Sequence, residues 1–404
     1  MELNFFRNVD NNKLSEVKGK NKDSNKKNGF EIEKINTIFT TDKTEERRSK
    51  FSETFEKNSI NNKKSEQGKK FHEGLIKNKS SLMKDLNLSD DEYDSLACVS
   101  MALASQETGM GIEQGYITEN TGSWGELRKN GKEFLAKFGG SSASSGLTQI
   151  KIFDFMKDEN SRALLKKYGV EASSAGKSNL FTEPDKAAVA SMLYLSKTTK
   201  EFIPLYENSI ETYHEELKGK LDSSLSDDQC LERGKKILNA FESVFNQADT
   251  EEKSKIRDVL RRWILSKDNS KLTDCGFNRN NPGTNDLDYC EGENLSILSR
   301  ILDRTGVQLE TNDINYVRYL MTTDDHKFDS VECCAYAWHH GAYNGLTPDR
   351  FIAEKLGLMY TVSDNAYESY YTDNVKYLTN EYAEQSGSNL NEVTEFIDNY
   401  LNYN

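Results

Sequence analysis

Three short stretches of this sequence combine residue types that can do chemistry: the apolar run Cys98 to Gln106 that ends in Glu107-Thr108-Gly109, the turn-like Gly146-Leu147-Thr148-Gln149-Ile150, and Ala335-Tyr336-Ala337-Trp338-His339-His340-Gly341. A carboxyl at the C-terminal end of an apolar helix sits where both burial and the helix dipole disfavour negative charge, so its neutral form is favoured. A neutral carboxylic acid is what protonates a poor leaving oxygen, the requirement for cleaving a glycosidic bond. Residue type alone does not decide the matter, because most glutamates at helix ends are surface decoration. Tyr194 and Trp338 are likewise open to two readings, as walls of a binding cleft or as core aromatics.

Metal chemistry is not expected. His339 and His340 are adjacent, so on a helix they point ~100° apart, and no carboxylate stands three or four residues away to complete a familiar ligand set. The six cysteines (Cys98, Cys230, Cys275, Cys290, Cys333, Cys334) form neither the C-x-x-C pairs of a zinc site nor a dense disulfide framework. A Cys275–Cys290 disulfide is open if the protein works outside the cytosol. No cofactor is implied.

The elements that must position these residues are helical. Ser89 followed by Glu92 reads as a capping box, and Leu96, Val99, Ala102 and Leu103 then lie at helical spacing. That buried helix is expected to end at Gly109. A further helix starts at Glu183-Pro184-Asp185 and runs to Thr198, with Ala187, Ala188, Ala190, Met192, Leu193 and Leu195 in its body. From Phe202 the pattern changes to charged amphipathic helices, at 230–246, 250–266 and 294–303, around the loop 274–288. Strand-like alternation is scarce and no fixed-period repeat is present, so the class is mainly α.

Composition bounds the rest. The 404 residues are 35% hydrophobic and 29% charged, with a net charge of −13. Residues 1–80 hold 19 Lys and Arg against 13 Asp and Glu, a balance of +6 that leaves −19 for the body. An acidic body repels phosphates, so nucleic acid is not an expected partner. The leader is too polar to offset the cost of ordering its backbone and is expected to be disordered. Neither a secretory signal nor an apolar run long enough for a membrane span is evident.

Taken in order, these stretches resemble the soluble lytic transglycosylase and goose-type lysozyme superfamily. That family has a helix ending in Glu-Ser, a Gly-Leu-Met-Gln-Ile element, an Ala-rich helix ending in Tyr-Leu, an Ala-Tyr-Asn-Ala-Gly element and a last helix reading Glu-Thr-x-x-Tyr-Val. The matching residues here are Glu107-Thr108, Gly146 to Ile150, Pro184 through Tyr194-Leu195, Ala335 to Gly341, and Tyr370 to Tyr377. The resemblance covers 85–200 and 325–385, and the Gly-Leu-Thr-Gln-Ile run is its most specific part.

It implies a lysozyme-like catalytic domain in two parts, 81–200 and 325–404, interrupted by a helical insertion at 201–324 and preceded by the polar tail 1–80. Glu107 would be the single catalytic acid, cutting the bond between N-acetylmuramic acid and N-acetylglucosamine in peptidoglycan glycan strands. Thr108, Gly146, Leu147, Thr148 and Gln149 would line the cleft and hold the sugar. Tyr194 would aim its hydroxyl at Glu107, Trp338 would give an aromatic wall, and His339 would stand in the place of the family's Asn. The product would be a 1,6-anhydro sugar, or a reducing end if a second carboxylate such as Glu113, Glu119, Glu126 or Asp154 activates water. A module that grips peptidoglycan without cutting it is the competing reading.

The chain departs from the family in four places: a long segment between Glu107 and Gly146 with Tyr116, Trp124 and Glu126, Thr148 for Met, Trp338-His339 for Tyr-Asn, and the helical insertion 201–324 before the last element. These bear on substrate range. With no signal peptide, action in the cell wall implies delivery by a phage virion or a secretion apparatus. Either would be docked through the tail or the insertion.

Overall fold

A computed structural model of the chain describes residues 66–109, 146–172, 178–265, 298–340, 347–358 and 371–402. Among them the fold is mainly α. Twelve helices form, and the single β-bridge pairs Ala172 with Ser178. No helix among these residues is long and apolar enough to cross a membrane.

Helix α1 (Glu66–Leu86) precedes α2 (Asp90–Thr108). α2 starts at the expected capping box: Ser89 Oγ accepts from the Glu92 amide, and the Glu92 carboxylate accepts from Ser89 N at 2.6 Å. It stops at Gly109, whose φ of 54° is the left-handed geometry that ends helices. Short helices α3 (Ile152–Phe155) and α4 (Glu159–Lys167) lead to α5, a 35-residue helix over Pro184–Lys218. Then come α6 (Asp227–Gln247), α7 (Thr250–Leu265), α8 (Asp313–Met321), α9 (Ser330–His340), α10 (Pro348–Lys355), α11 (Tyr371–Ser386) and α12 (Leu390–Asn402).

Two boundaries differ from the sequence expectation. The folded part begins by Glu66 rather than near residue 81, because α1 buries Phe71, Leu75 and Leu82 completely while Lys69, Lys70, Lys77 and Lys84 stay exposed. At Gly74 the helix meets α5 so closely that a Cβ would lie 2.6 Å from Asp185 Cα. The second difference is α5, which does not stop at Thr198. It continues through Pro204 into the segment assigned to the insertion. A proline there removes one backbone bond and normally kinks or breaks a helix at a cost of ~3 kcal/mol. Here Phe202, Ile203, Tyr206 and Ile210 on both sides of it are buried, and their burial favours keeping the helix continuous.

The helices make two lobes. In the first, the core joins α1, α2, the 146–156 segment and the start of α5 to residues from α9, α11 and α12, so chain segments far apart in sequence close one body. The second core is built from α6, α7, residues 298–302, α8 and the apolar face of α10. α10 therefore packs with the insertion although it lies beyond residue 324. A ring cluster of Phe202, Tyr206, Phe328, Tyr336 and Phe351 lies where the lobes meet. Beside it Lys355 contacts Glu332 at 2.6 Å and Lys376 contacts Asp329 at 2.6 Å, tying α10 and α11 to the first turn of α9.

Candidate functional site

The last turn of α2 presents Glu107, partly buried, followed by Thr108, which is 4% exposed. The Thr108 hydroxyl reaches Leu147 O at 2.8 Å, besides its own-helix Ala104 O at 3.0 Å, so residue 107 is pinned beside the Gly146–Ile150 turn. Two residues of the turn lie in the left-handed region, Gly146 at φ 77° and Gln149 at φ 51°. Glycine is favoured at 146 for a second reason: a Cβ there would stand 3.1 Å from Leu180 Cβ, a tight contact. Gln149 closes the turn itself, its amide and its Nε2 both donating to Gly146 O at 3.2 and 2.8 Å.

The turn is held from two further helices. Thr148 Oγ1 lies 2.7 Å from Ser191 Oγ on α5, and Trp338 Nε1 on α9 donates to Thr148 O at 3.1 Å. Tyr194 stands edge-on to both Trp338 and Phe155, with ring centroids 4.9 and 5.1 Å away. The sequence expectation for several of these residues thus needs correction. Leu147 and Thr148 are fully buried and Trp338 is 8% exposed, so they are struts that fix the turn rather than surfaces for a sugar. The residues of the predicted set left partly exposed are Glu107, Gln149, Tyr194 and His339.

A hydroxyl that meets Glu107 comes from the Tyr370 to Tyr377 stretch, from a residue not expected at the site. Tyr371, at the start of α11, donates to Glu107 Oε1 at 2.5 Å. Its ring is stacked on His339, with centroids 4.3 Å apart and planes 14° from parallel. His339 in turn lies against His340, 4.4 Å between ring centres. Burial, with Arg350 and Lys151 nearby, pulls the His339 imidazole down to about 4, so it is neutral at physiological pH. Burial, His339, Arg350 and Lys151 drive His340 well below its usual range as well. Among the described residues no group of three or more His, Cys, Asp or Glu could hold a metal ion.

Behind this stack, α10 supplies two buried side chains one turn apart. Arg350 donates to His340 Nδ1 at 3.1 Å, and burial pushes the Glu354 carboxyl up to about 8 against the opposing pull of Arg350 and the Thr372 hydroxyl. Tyr116, Trp124, Glu113, Glu119, Glu126, Cys275 and Cys290 lie outside the described residues, as does the side chain of Asp154.

The arrangement brings together Glu107, the 146–150 turn, Tyr194, Trp338 and His339 from four separated segments, and adds Tyr371. Chemically it offers one partly buried carboxyl oriented by a phenol, with neutral imidazole and amide groups around it. That set suits proton transfer better than metal or nucleophilic chemistry. Comparison of the chain with protein-family models, with curated proteins and with solved structures finds no match.

Proposed function

We propose that this protein is a peptidoglycan-cleaving lytic transglycosylase that cuts the N-acetylmuramic acid to N-acetylglucosamine β-1,4 bond with Glu107 as its single catalytic acid. The observation that carries the reading is the position of the Glu107 carboxyl, bonded to Tyr371 and anchored through Thr108 to the Gly-Leu-Thr-Gln-Ile turn. The order of sequence motifs that resembles the transglycosylase superfamily supports it independently.

Neutral Glu107 would protonate the glycosidic oxygen while the substrate's own N-acetyl carbonyl shields the developing positive centre. Once ionised, the carboxylate accepts a stronger hydrogen bond from Tyr371, because bonds to a charged acceptor are about twice as strong as neutral ones. The bond from Tyr371 thus fixes the carboxyl through Oε1. The same carboxylate then removes the proton from the muramoyl 6-hydroxyl, and the sugar closes to a 1,6-anhydro end without consuming water.

The test is digestion of purified sacculi by wild type and Glu107→Gln, with mass analysis of the fragments. Anhydromuramoyl ends from wild type and none from the variant are expected. Reducing ends would make the enzyme a lysozyme-type hydrolase. Binding of sacculi without release of fragments by either protein would leave a grip module and sink the catalytic reading.

A further inference from the structure

α10 belongs to the second core, yet one of its faces reaches His340 on α9. Ile352, Ala353 and Leu356 pack in the insertion's core. The helix is also clamped at both ends by that lobe: Asp349 accepts from Arg318 at 3.1 Å and from Tyr213 at 2.5 Å, and Gly357 O accepts from Arg257 at 2.6 Å. From this fixed helix the Arg350 guanidinium, itself 4% exposed, lies over the Tyr336 ring at 5.9 Å and donates to His340 Nδ1. A nitrogen that accepts from an arginine carries no proton, so the contact selects the Nε2–H form of His340.

From His340 the contacts are continuous: His339 ring, Tyr371 ring, Tyr371 hydroxyl, Glu107 Oε1. We propose that Arg350 is a positioning residue for the reaction at Glu107, acting through His340 and the His339–Tyr371 stack, so that the inserted lobe sets the aim of the catalytic carboxyl. The inference rests on the assignment of Glu107 as the acid. The charged and titratable groups facing the stack are Lys151 from the 146–151 segment, Arg350 and Glu354 from α10, Glu107 from α2 and Tyr371 from α11. With two cations close by, a protonated imidazole would be repelled, so His339 stacks on Tyr371 as a neutral ring. Loss of Arg350 removes the donor that orders His340 and lets the stack turn.

Two readouts test this, one independent of lytic activity. In tyrosine-13Cζ-labelled protein, Glu107→Gln identifies the Tyr371 signal by shifting it. Arg350→Met is expected to shift the same signal and to lower kcat about tenfold to a hundredfold, the effect of a displacement of about 1 Å at a reacting group. KM should stay within about twofold, since ground-state binding is not touched. Arg350→Lys, which keeps the charge and a donor, should restore most of both. If Arg350→Met does not fold, His340→Phe keeps the ring volume, removes the acceptor and is read in the same way. An unshifted Tyr371 signal, or an unchanged kcat in a folded variant, overturns the proposal. Should the wild type release nothing from sacculi, the transglycosylase reading fails, and the tyrosine signal alone decides whether Arg350 governs the stack.

Discussion

Replacing Glu354 by Gln should flatten the pH dependence of stability. The carboxyl is 4% exposed, and its folded value of about 8 stands above an ordinary 4.5. A carboxyl raised in this way contributes its full stability below pH 4.5, where both states are protonated, and loses it progressively as pH rises to about 8. The interval is about 3.5 units at about 1.4 kcal/mol each, which sets an upper limit of ~5 kcal/mol, most of it already lost by neutral pH. Gln keeps the neutral shape at every pH. Urea unfolding of both proteins at pH 5 and pH 8.5 cancels whatever else titrates in common. The wild type should lose on the order of 3 kcal/mol relative to the variant between these two points. Parallel stability curves would refute the reasoning, because they would mean that Glu354 is already ionised at pH 5, paired with Arg350, or is not desolvated.

Two further outcomes are expected. Tyr371→Phe removes a hydrogen bond to a group that becomes charged, worth ~1.5–3 kcal/mol, so kcat on sacculi should fall roughly tenfold to a hundredfold; a change below about twofold would detach Tyr371 from the chemistry. Lys355→Met takes the nearer of two cations from the Glu332 carboxylate, in a site where both side chains are under 5% exposed, and leaves it only Lys376 at 3.7 Å, so urea unfolding should show a loss below the ~3–5 kcal/mol of a fully unpaired buried charge but above ~1 kcal/mol. The double variant Lys355→Met/Glu332→Leu should recover much of that loss, and its failure to do so would mean that packing rather than charge is at stake.

What was legible in the sequence was mostly local. The Ser89–Glu92 box, the Gly109 stop and the Pro184 start are governed by backbone groups within a few residues, and all three stand where their residue types place them. The convergence of Glu107, Gly146 to Ile150, Tyr194 and Trp338 was legible only through motif order. The same order marks the Tyr370 to Tyr377 stretch but not the role of Tyr371 within it, because its bond to Glu107 spans 264 positions and nothing local distinguishes it from the neighbouring tyrosines. α1 was hidden by its lysines, whose stems leave a narrow apolar stripe of Phe71, Leu75 and Leu82 to do the packing. The true length of α5 was masked by a change of face: Ala-rich and buried all round at first, it becomes one-sided after Pro204. Leu147, Thr148 and Trp338 are typical of residues whose type suits contact with a sugar and whose depth in the fold gives them a supporting task instead.

The continuity of α5 has a practical consequence. Residues 184–195 complete the first core and 202–217 seed the packing around the second, so the helix cannot fray in one body without loosening the other. Excising 201–324 as a cassette would sever this shared beam at mid-length and strip Ile352, Ala353 and Leu356 on α10 of their core partners. The two lobes are therefore expected to melt in a single transition, and the unit on which selection or an engineer can act is the pair.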